Sequence, residues 1–307
     1  MRTSPVTCVS YHHFERTSSP LTRHLRVATT PDTFARHLTY FRRCYTPISI
    51  DRLISGDIPP RALLITIDDA YRSVLEIAAP MLRDAGMPAV LMTNARVVEG
   101  GCVPLDNVLS LAMEELGPTG LGTALALTDP WSCTIQRLVQ DHLPRLNGER
   151  REEMRQRLLR LLRLTDADIL ASSQPFLSAD DLHQLAARYD IAVGNHTLSH
   201  VHLRALDSAE LVREIAGGRA AVEQITRRPA RAFSIPYGSR KDATPAALEV
   251  IRASGHEAVF LVQTRTNAAR PAPDIWFRQS MSEDPVLHLA IKLDLLPRMG
   301  ELKAALN

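Results

Sequence analysis

Leu63 to Tyr71 reads L-L-I-T-I-D-D-A-Y. Its first five residues have the length and β-branched, apolar character of a buried strand, and the run stops on two adjacent carboxylates, Asp68 and Asp69. Two like charges at a strand tip are held ionised only where a cation or a proton relieves their repulsion. The pair therefore divides into a metal ligand and a base. An ordinary alternative is a helix N-terminal cap, because a helix follows soon after.

On either side, strands alternate with helices. Upstream, Val6 to Tyr11 is β-rich and ends at His12-His13, Thr30-Pro31 opens a helix through Arg43, and Ile48 to Ile50 reads as a short strand. Downstream, a helix over about 73–85 stops at Gly86, and Ala89 to Thr93 is another apolar strand. Gly100 to Phe176 breaks the rhythm with helices only, over 106–115, 133–143 and 149–164, and reads as an insertion at about 100–177. Alternation resumes with a Ser178-capped helix, strands at 191–193 and 232–235, an Asp207-capped helix with Glu210 at the capping-box position, and strands at 257–262 and 275–279. Continuous apolar runs between helices imply a parallel sheet, and seven or eight of them suggest a (β/α) barrel. The glycine-rich phosphate turn of open doubly wound sheets is absent from the sequence.

Composition excludes several classes. The formal charge of +2 on 307 residues is too balanced for a nucleic-acid or anionic-membrane partner. No stretch approaches the ~18 apolar residues of a membrane span, and the N-terminus lacks a signal-peptide core. Four cysteines, Cys8, Cys44, Cys102 and Cys133, show neither C-x-x-C spacing nor disulfide density. A cytoplasmic location is the expectation.

His196-Thr197-Leu198-Ser199-His200 sets two imidazoles four apart, close enough to share a metal. Such a pair arises readily by chance among eleven histidines. Position gives it meaning: His196 ends a strand, as do His12, Asp68-Asp69 and Tyr237, and in a barrel all those C-terminal ends lie on one face. Two His and one carboxylate suit Zn²⁺ with open positions for water, although Fe²⁺, Co²⁺ or Ni²⁺ would also fit. Pro236-Tyr237-Gly238 is a tight turn able to present a backbone N–H to an oxyanion, or simply a strand-exit turn.

These motifs resemble, in order, those of the polysaccharide deacetylases, the NodB-homology carbohydrate esterases of family 4. Leu63–Tyr71 resembles T-F-D-D-G, His196–His200 matches H-(S/T)-x-x-H, Phe233–Gly238 resembles R-x-P-Y-G, and Tyr11-His12 resembles the N-terminal Y-H of one branch. The likeness runs from about Val6 to Met281 apart from the insertion. It implies one NodB-like domain over 1–307 with a distorted (β/α)7-type barrel, and metal-dependent hydrolysis of the N-acetyl or other acyl group of an amino sugar or glycan precursor. It also implies Asp69, His196 and His200 as metal ligands, Asp68 as base and the Tyr237 N–H as oxyanion donor. The general acid would be His12, or His288 in L-H-L.

Three departures stand out. Ala70 replaces a glycine, Ser234 replaces the arginine that tethers the base, and Asp274-Ile275-Trp276 only loosely follows a D-x-W pattern. Arg278 is a candidate for the missing tether and for substrate contact, and Trp276 either stacks on a sugar in the pocket or belongs to the core. A non-catalytic carbohydrate-binding relative, or another mononuclear metalloenzyme such as an iron oxygenase, are the competing classes.

Overall fold

The computed structural model describes residues 6–295 except 266, 268–271 and 273, so the ends of the unit expected over 1–307 lie outside it. Seven parallel strands close into a barrel: β1 (Thr7–Tyr11), β2 (Ala62–Asp68), β3 (Ala89–Thr93), β4 (Ile191–Asn195), β5 (Ala232–Ser234), β6 (Ala258–Val262) and β7 (Ile275–Ser280). Each pairs with the next, β7 returns to β1 through Cys8↔Arg278, and β1 pairs with β2 through Cys8↔Leu64. This is the (β/α)7-type barrel that the alternation and the resemblance implied.

Closure explains why the strands read as continuous apolar runs. Alternate residues face opposite sides of the wall, and both sides are buried. Cys8, Leu64, Val90, Met92, Ala232, Phe260 and Trp276 meet in one apolar cluster inside the barrel. Their neighbours Val9, Ile65, Ile67 and Leu91 pack outward against helices. Ile48, Ile50 and Leu53 join the inner cluster beside Val6 and Ala62 and plug the N-terminal end. The expected strand at 48–50 is therefore displaced. The extended pair is Thr46–Pro47, and Ser49 caps a short helix, Ile50–Ser55, by accepting from the Arg52 N–H.

The segment between β3 and β4 is helical as read, with its first helix longer than expected and the helix expected over 133–143 broken into short turns. Helix α1 (Leu105–Ala124) bends at Gly117, where φ is 66°, just before Pro118. Helix α2 (Gly148–Leu162) is followed by an unanticipated short helix, Asp166–Ser173, whose Thr165–Asp168 capping box is legible in hindsight. Helix α3 (Ser208–Thr226) buttresses β4 from outside: the Asn195 Nδ2 donates to the Ile215 carbonyl at 2.8 Å. Among the described residues no helix is long and apolar enough to cross a membrane.

The barrel wall leaves no room for a side chain at Gly194. A Cβ there would lie 2.6 Å from the Met92 sulfur and 2.8 Å from the Ala232 carbonyl oxygen. The sulfur can swing away, but the carbonyl belongs to the neighbouring strand. Gly194→Ala is expected to destabilise the protein by ~1–3 kcal/mol, as overpacking does. Urea unfolding checks this, and an unchanged midpoint would contradict the packing described.

Candidate active site

Period-two alternation on β2 and β7 builds the floor of the site. Trp276 and Arg278 share the inner face of β7, with Arg278 nearer the C-terminal mouth, and Leu64, Thr66 and Asp68 share the inner face of β2. Arg278 is fully buried and forks onto Asp68, Nη1 to Oδ1 at 2.6 Å and Nη2 to Oδ2 at 2.7 Å. The same nitrogens reach the Thr66 hydroxyl at 2.8 Å and the Ser234 hydroxyl at 2.7 Å. Burial alone would raise the Asp68 carboxyl, but the Arg278 charge and hydrogen bonds hold it well below the usual carboxylate range.

This geometry corrects two expectations about substrate contact. Arg278 is committed to Asp68 and does not line the cavity above it, so it is a tether for the carboxylate. Trp276 lies one layer deeper, packed in the inner apolar cluster with Cys8, Leu64 and Phe260, where no sugar reaches it. The signal for both was available: two residues apart on one strand means one face, and the lower of the two must fill the barrel.

Asp69 follows Asp68 with φ 70°, and this left-handed turn takes it off the strand line. Its Oδ1 lies 3.9 Å from His196 Nε2 and 3.8 Å from His200 Nε2. One ligand atom from each of Asp69, His196 and His200 falls within 4.8 Å of the others. The two histidines sit on a turn rather than a helix, with positive φ at Thr197 (68°) and His200 (54°). The turn is pinned from several sides. The His196 N–H donates to the Thr93 carbonyl at 2.9 Å and the Asn94 amide to the His196 carbonyl at 2.6 Å. Glu214 of α3 accepts from the Ser199 N–H and hydroxyl at 3.0 and 2.8 Å.

Both rings have their tautomers set. His196 Nδ1 faces the Ser234 carbonyl at 2.8 Å, which fixes the proton there and leaves Nε2 as a lone-pair donor. Burial pushes this imidazole down to about 4, so it stays neutral. His200 Nδ1 faces the Asp106 carboxylate at 2.7 Å, likewise leaving Nε2 toward Asp69. A carboxylate or carbonyl behind each ligating imidazole is the arrangement that orients metal-binding histidines. The donor set, two imidazole nitrogens and one carboxylate oxygen, fits a divalent cation of the zinc type.

Asp106 comes from α1 in the inserted segment, and sequence reasoning missed it. It also accepts from the Tyr237 hydroxyl at 3.0 and 3.1 Å. Arg151 of α2 completes the cluster, donating to that hydroxyl at 2.8 Å and to the His200 carbonyl at 3.0 Å. The available signal was Asp106-Asn107 in the first turn of a helix that continues Val108-Leu109 and Leu111-Ala112-Met113, both on its buried side.

Tyr237 occupies the turn over Pro236–Gly238 with φ 61°, and its ring stacks on His202 at 3.9 Å between centroids. His12, Asp68, Asp69, His196, His200 and Tyr237 all line one cavity of about 270 Å³. His12 Nδ1 is buried with no hydrogen-bond partner among the described residues. His288 is exposed on the helix Val286–Ala290 and does not line that cavity.

Comparison with known proteins agrees with this arrangement. Residues 170–259, which contain both the H-T-L-S-H and P-Y-G motifs, match the family model described as polysaccharide deacetylase. No curated protein sequence matches significantly. Among solved structures the fold is similar to a Streptococcus pyogenes deacetylase, PplD, in complex with acetate, at 12% identity and TM-score 0.64 over 95% of this chain and 99% of that one. It is also similar to IcaB from Ammonifex degensii, at 18% identity and TM-score 0.59 over 94% and 97% of the two chains. A polysaccharide deacetylase from Bacillus cereus matches at 13% and 0.61, over 95% of this chain and 69% of that one. The chain thus resembles the polysaccharide deacetylases in sequence through the second half of the barrel and shares a fold with their solved members along nearly its whole length.

Removing one partner of the buried pair tests the floor of the site. Arg278→Met should destabilise by ~3–5 kcal/mol because it strands the Asp68 charge, while Asp68→Leu with Arg278→Met should recover most of that loss. The sign with pH follows from the depressed carboxyl. The pair's contribution is present above about pH 4 and is lost as pH falls through the lowered folded-state value. Denaturant midpoints for parent, single and double variants at pH 7 and pH 3 decide it. A single variant as stable as the parent would show that the pair is not what holds the floor together.

Proposed function

We propose that the chain is a metal-dependent amidohydrolase that removes the N-acetyl or a related acyl group from an amino sugar or glycan precursor. The observation that carries this reading is the pair of adjacent aspartates in two separate environments. Asp69 joins two tautomer-fixed histidines, and Asp68 is forked by Arg278 beneath them.

Asp69, His196 and His200 would hold a divalent cation, Zn²⁺ by default, which would supply Lewis acidity to the scissile carbonyl and to the attacking water. The protein's own groups do the rest. Asp68 stays ionised at neutral pH, and its Oδ2, 4.0 Å from His196 Nε2, accepts the proton of the attacking water. The Tyr237 backbone N–H, set by the left-handed turn, donates to the developing oxyanion. His12, with a ring nitrogen left without a protein partner among the described residues, donates a proton to the departing amine. Asp106 and Arg151 hold His200 and the Tyr237 ring in place from behind.

The competing classes find less support. A binding-only relative is expected to have lost a ligand or the base, and all four groups are present and oriented. An iron oxygenase of the two-His, one-carboxylate type would call for a jelly roll, whereas this sheet is a parallel barrel.

Acetate release measured across N-acetylated amino sugars, with chelator and after Zn²⁺ is returned, tests the proposal. Release should require the metal, and Asp68→Asn should lower kcat by ~10²–10⁴-fold while Zn²⁺ affinity is retained. If Asp68→Asn keeps most of the metal-dependent release, the base has been misassigned.

A further inference from the structure

The cavity above the ligands carries information about what enters it. Its outer wall is mostly apolar, with Gln136 and Gln140 set among the apolar residues, and comes from three separate segments. Leu25 and Val27 lie between β1 and the first helix, Val97 follows β3, and Ile135, Val139 and Phe176 belong to the inserted segment. The first and third segments are tied together, since the Ser110 hydroxyl donates to the Pro20 carbonyl at 2.7 Å and the Gln136 amide to the His24 carbonyl at 3.4 Å. Phe176 is fixed against Tyr71 at 5.5 Å between ring centroids.

Charge on this lining is one-sided. Asp68, Asp69 and Asp106 are present, and no lysine or arginine lines the cavity among the described residues. Arg278 is used by Asp68, and Arg151 lies behind Tyr237 and lines a different hollow. A phosphate or diphosphate beside the scissile amide would find no lysine or arginine on the lining to receive it. Nor does the cavity offer exposed aromatic platforms for a polymer. Tyr71 and Phe176 are buried, and the exposed Trp131 is not part of the lining.

We infer that the substrate is an uncharged N-acyl amine carrying an apolar group several carbons long, seated against Leu25, Val27, Ile135 and Val139, rather than a phosphorylated sugar or a long polysaccharide. This deepens the deacylase reading and rests on it. The apolar group sits either on the acyl side or on the glycosidic side of the amide, and the wall chemistry is the same for both.

The test compares kcat/KM for methyl and hexyl N-acetyl-β-glucosaminide, methyl N-hexanoyl-β-glucosaminide, UDP-N-acetylglucosamine and an N-acetylglucosamine tetramer. Each buried methylene is worth roughly a factor of four. At least one hexyl-bearing compound should therefore exceed the methyl N-acetyl glycoside by ~10-fold or more, with the nucleotide sugar and the tetramer below both. Whichever compound gains identifies the side. Ile135→Asn and Val139→Asn should reduce that ratio toward one. A methyl glycoside, nucleotide sugar or tetramer processed as well as the best apolar compound overturns the inference while leaving the deacylase reading intact. Calorimetry with the free-amine and free-acid products separates the two claims. If no compound is hydrolysed the deacylase reading fails, and the inference is overturned on its own when the protein binds hexyl glucosaminide no better than methyl glucosaminide and hexanoate no better than acetate.

Discussion

The site rests on one buried ion pair. Asp68 and Arg278 meet inside a closed barrel, above a floor of Leu64, Phe260 and Trp276, with Arg278 fully buried and Asp68 just reaching the cavity above. A buried carboxylate there is tolerable only because a planar guanidinium matches both its oxygens and is itself bonded to Thr66 and Ser234. With that pair in place, Asp68 keeps its charge and Asp69 is free to turn outward. Ser234 contributes twice: its hydroxyl bonds the guanidinium, and its carbonyl fixes the His196 tautomer. An arginine at 234 is unnecessary because β7 brings one to the same carboxylate.

A second dependence runs through the inserted segment. It is not a detachable decoration, because Asp106 on α1 and Arg151 on α2 reach back to His200 and Tyr237. The same segment supplies much of the apolar wall over the ligands. One ligand's orientation and the shape of the space above it are therefore set by the same helices. A change in their packing should be felt both in cation affinity and in what the cavity admits.

The barrel was legible because closure buries both faces of each strand. Continuous apolar runs such as Leu63–Ile67 and Ala89–Thr93 then stand out from the periodic helices between them. The cluster of polar side chains at the mouth was legible for a related reason: His12, Asp68-Asp69, His196 and Tyr237 end such runs, and closure brings those ends to one face. Asp106 was opaque because its partner is 94 positions away in the chain and its neighbours read as ordinary helix. Arg278 was legible as the replacement tether for Asp68, whereas stacking of Trp276 on a sugar was read from residue type, and strand period and depth put it in the core instead. Ile48–Ile50 failed more locally, with the Ser49 cap overriding the β-branched residues around it.

The account's central claim is that Asp69, His196 and His200 form a cation site whose geometry is set by Ser234 and Asp106. Calorimetric titration of Zn²⁺ into chelator-stripped protein tests it most directly. One ion per chain should bind, ~10–100-fold more weakly in Asp106→Asn and not measurably when both histidines are replaced by alanine. Stripped protein that takes up no stoichiometric ion, or binds it equally well without the two histidines, would contradict the account.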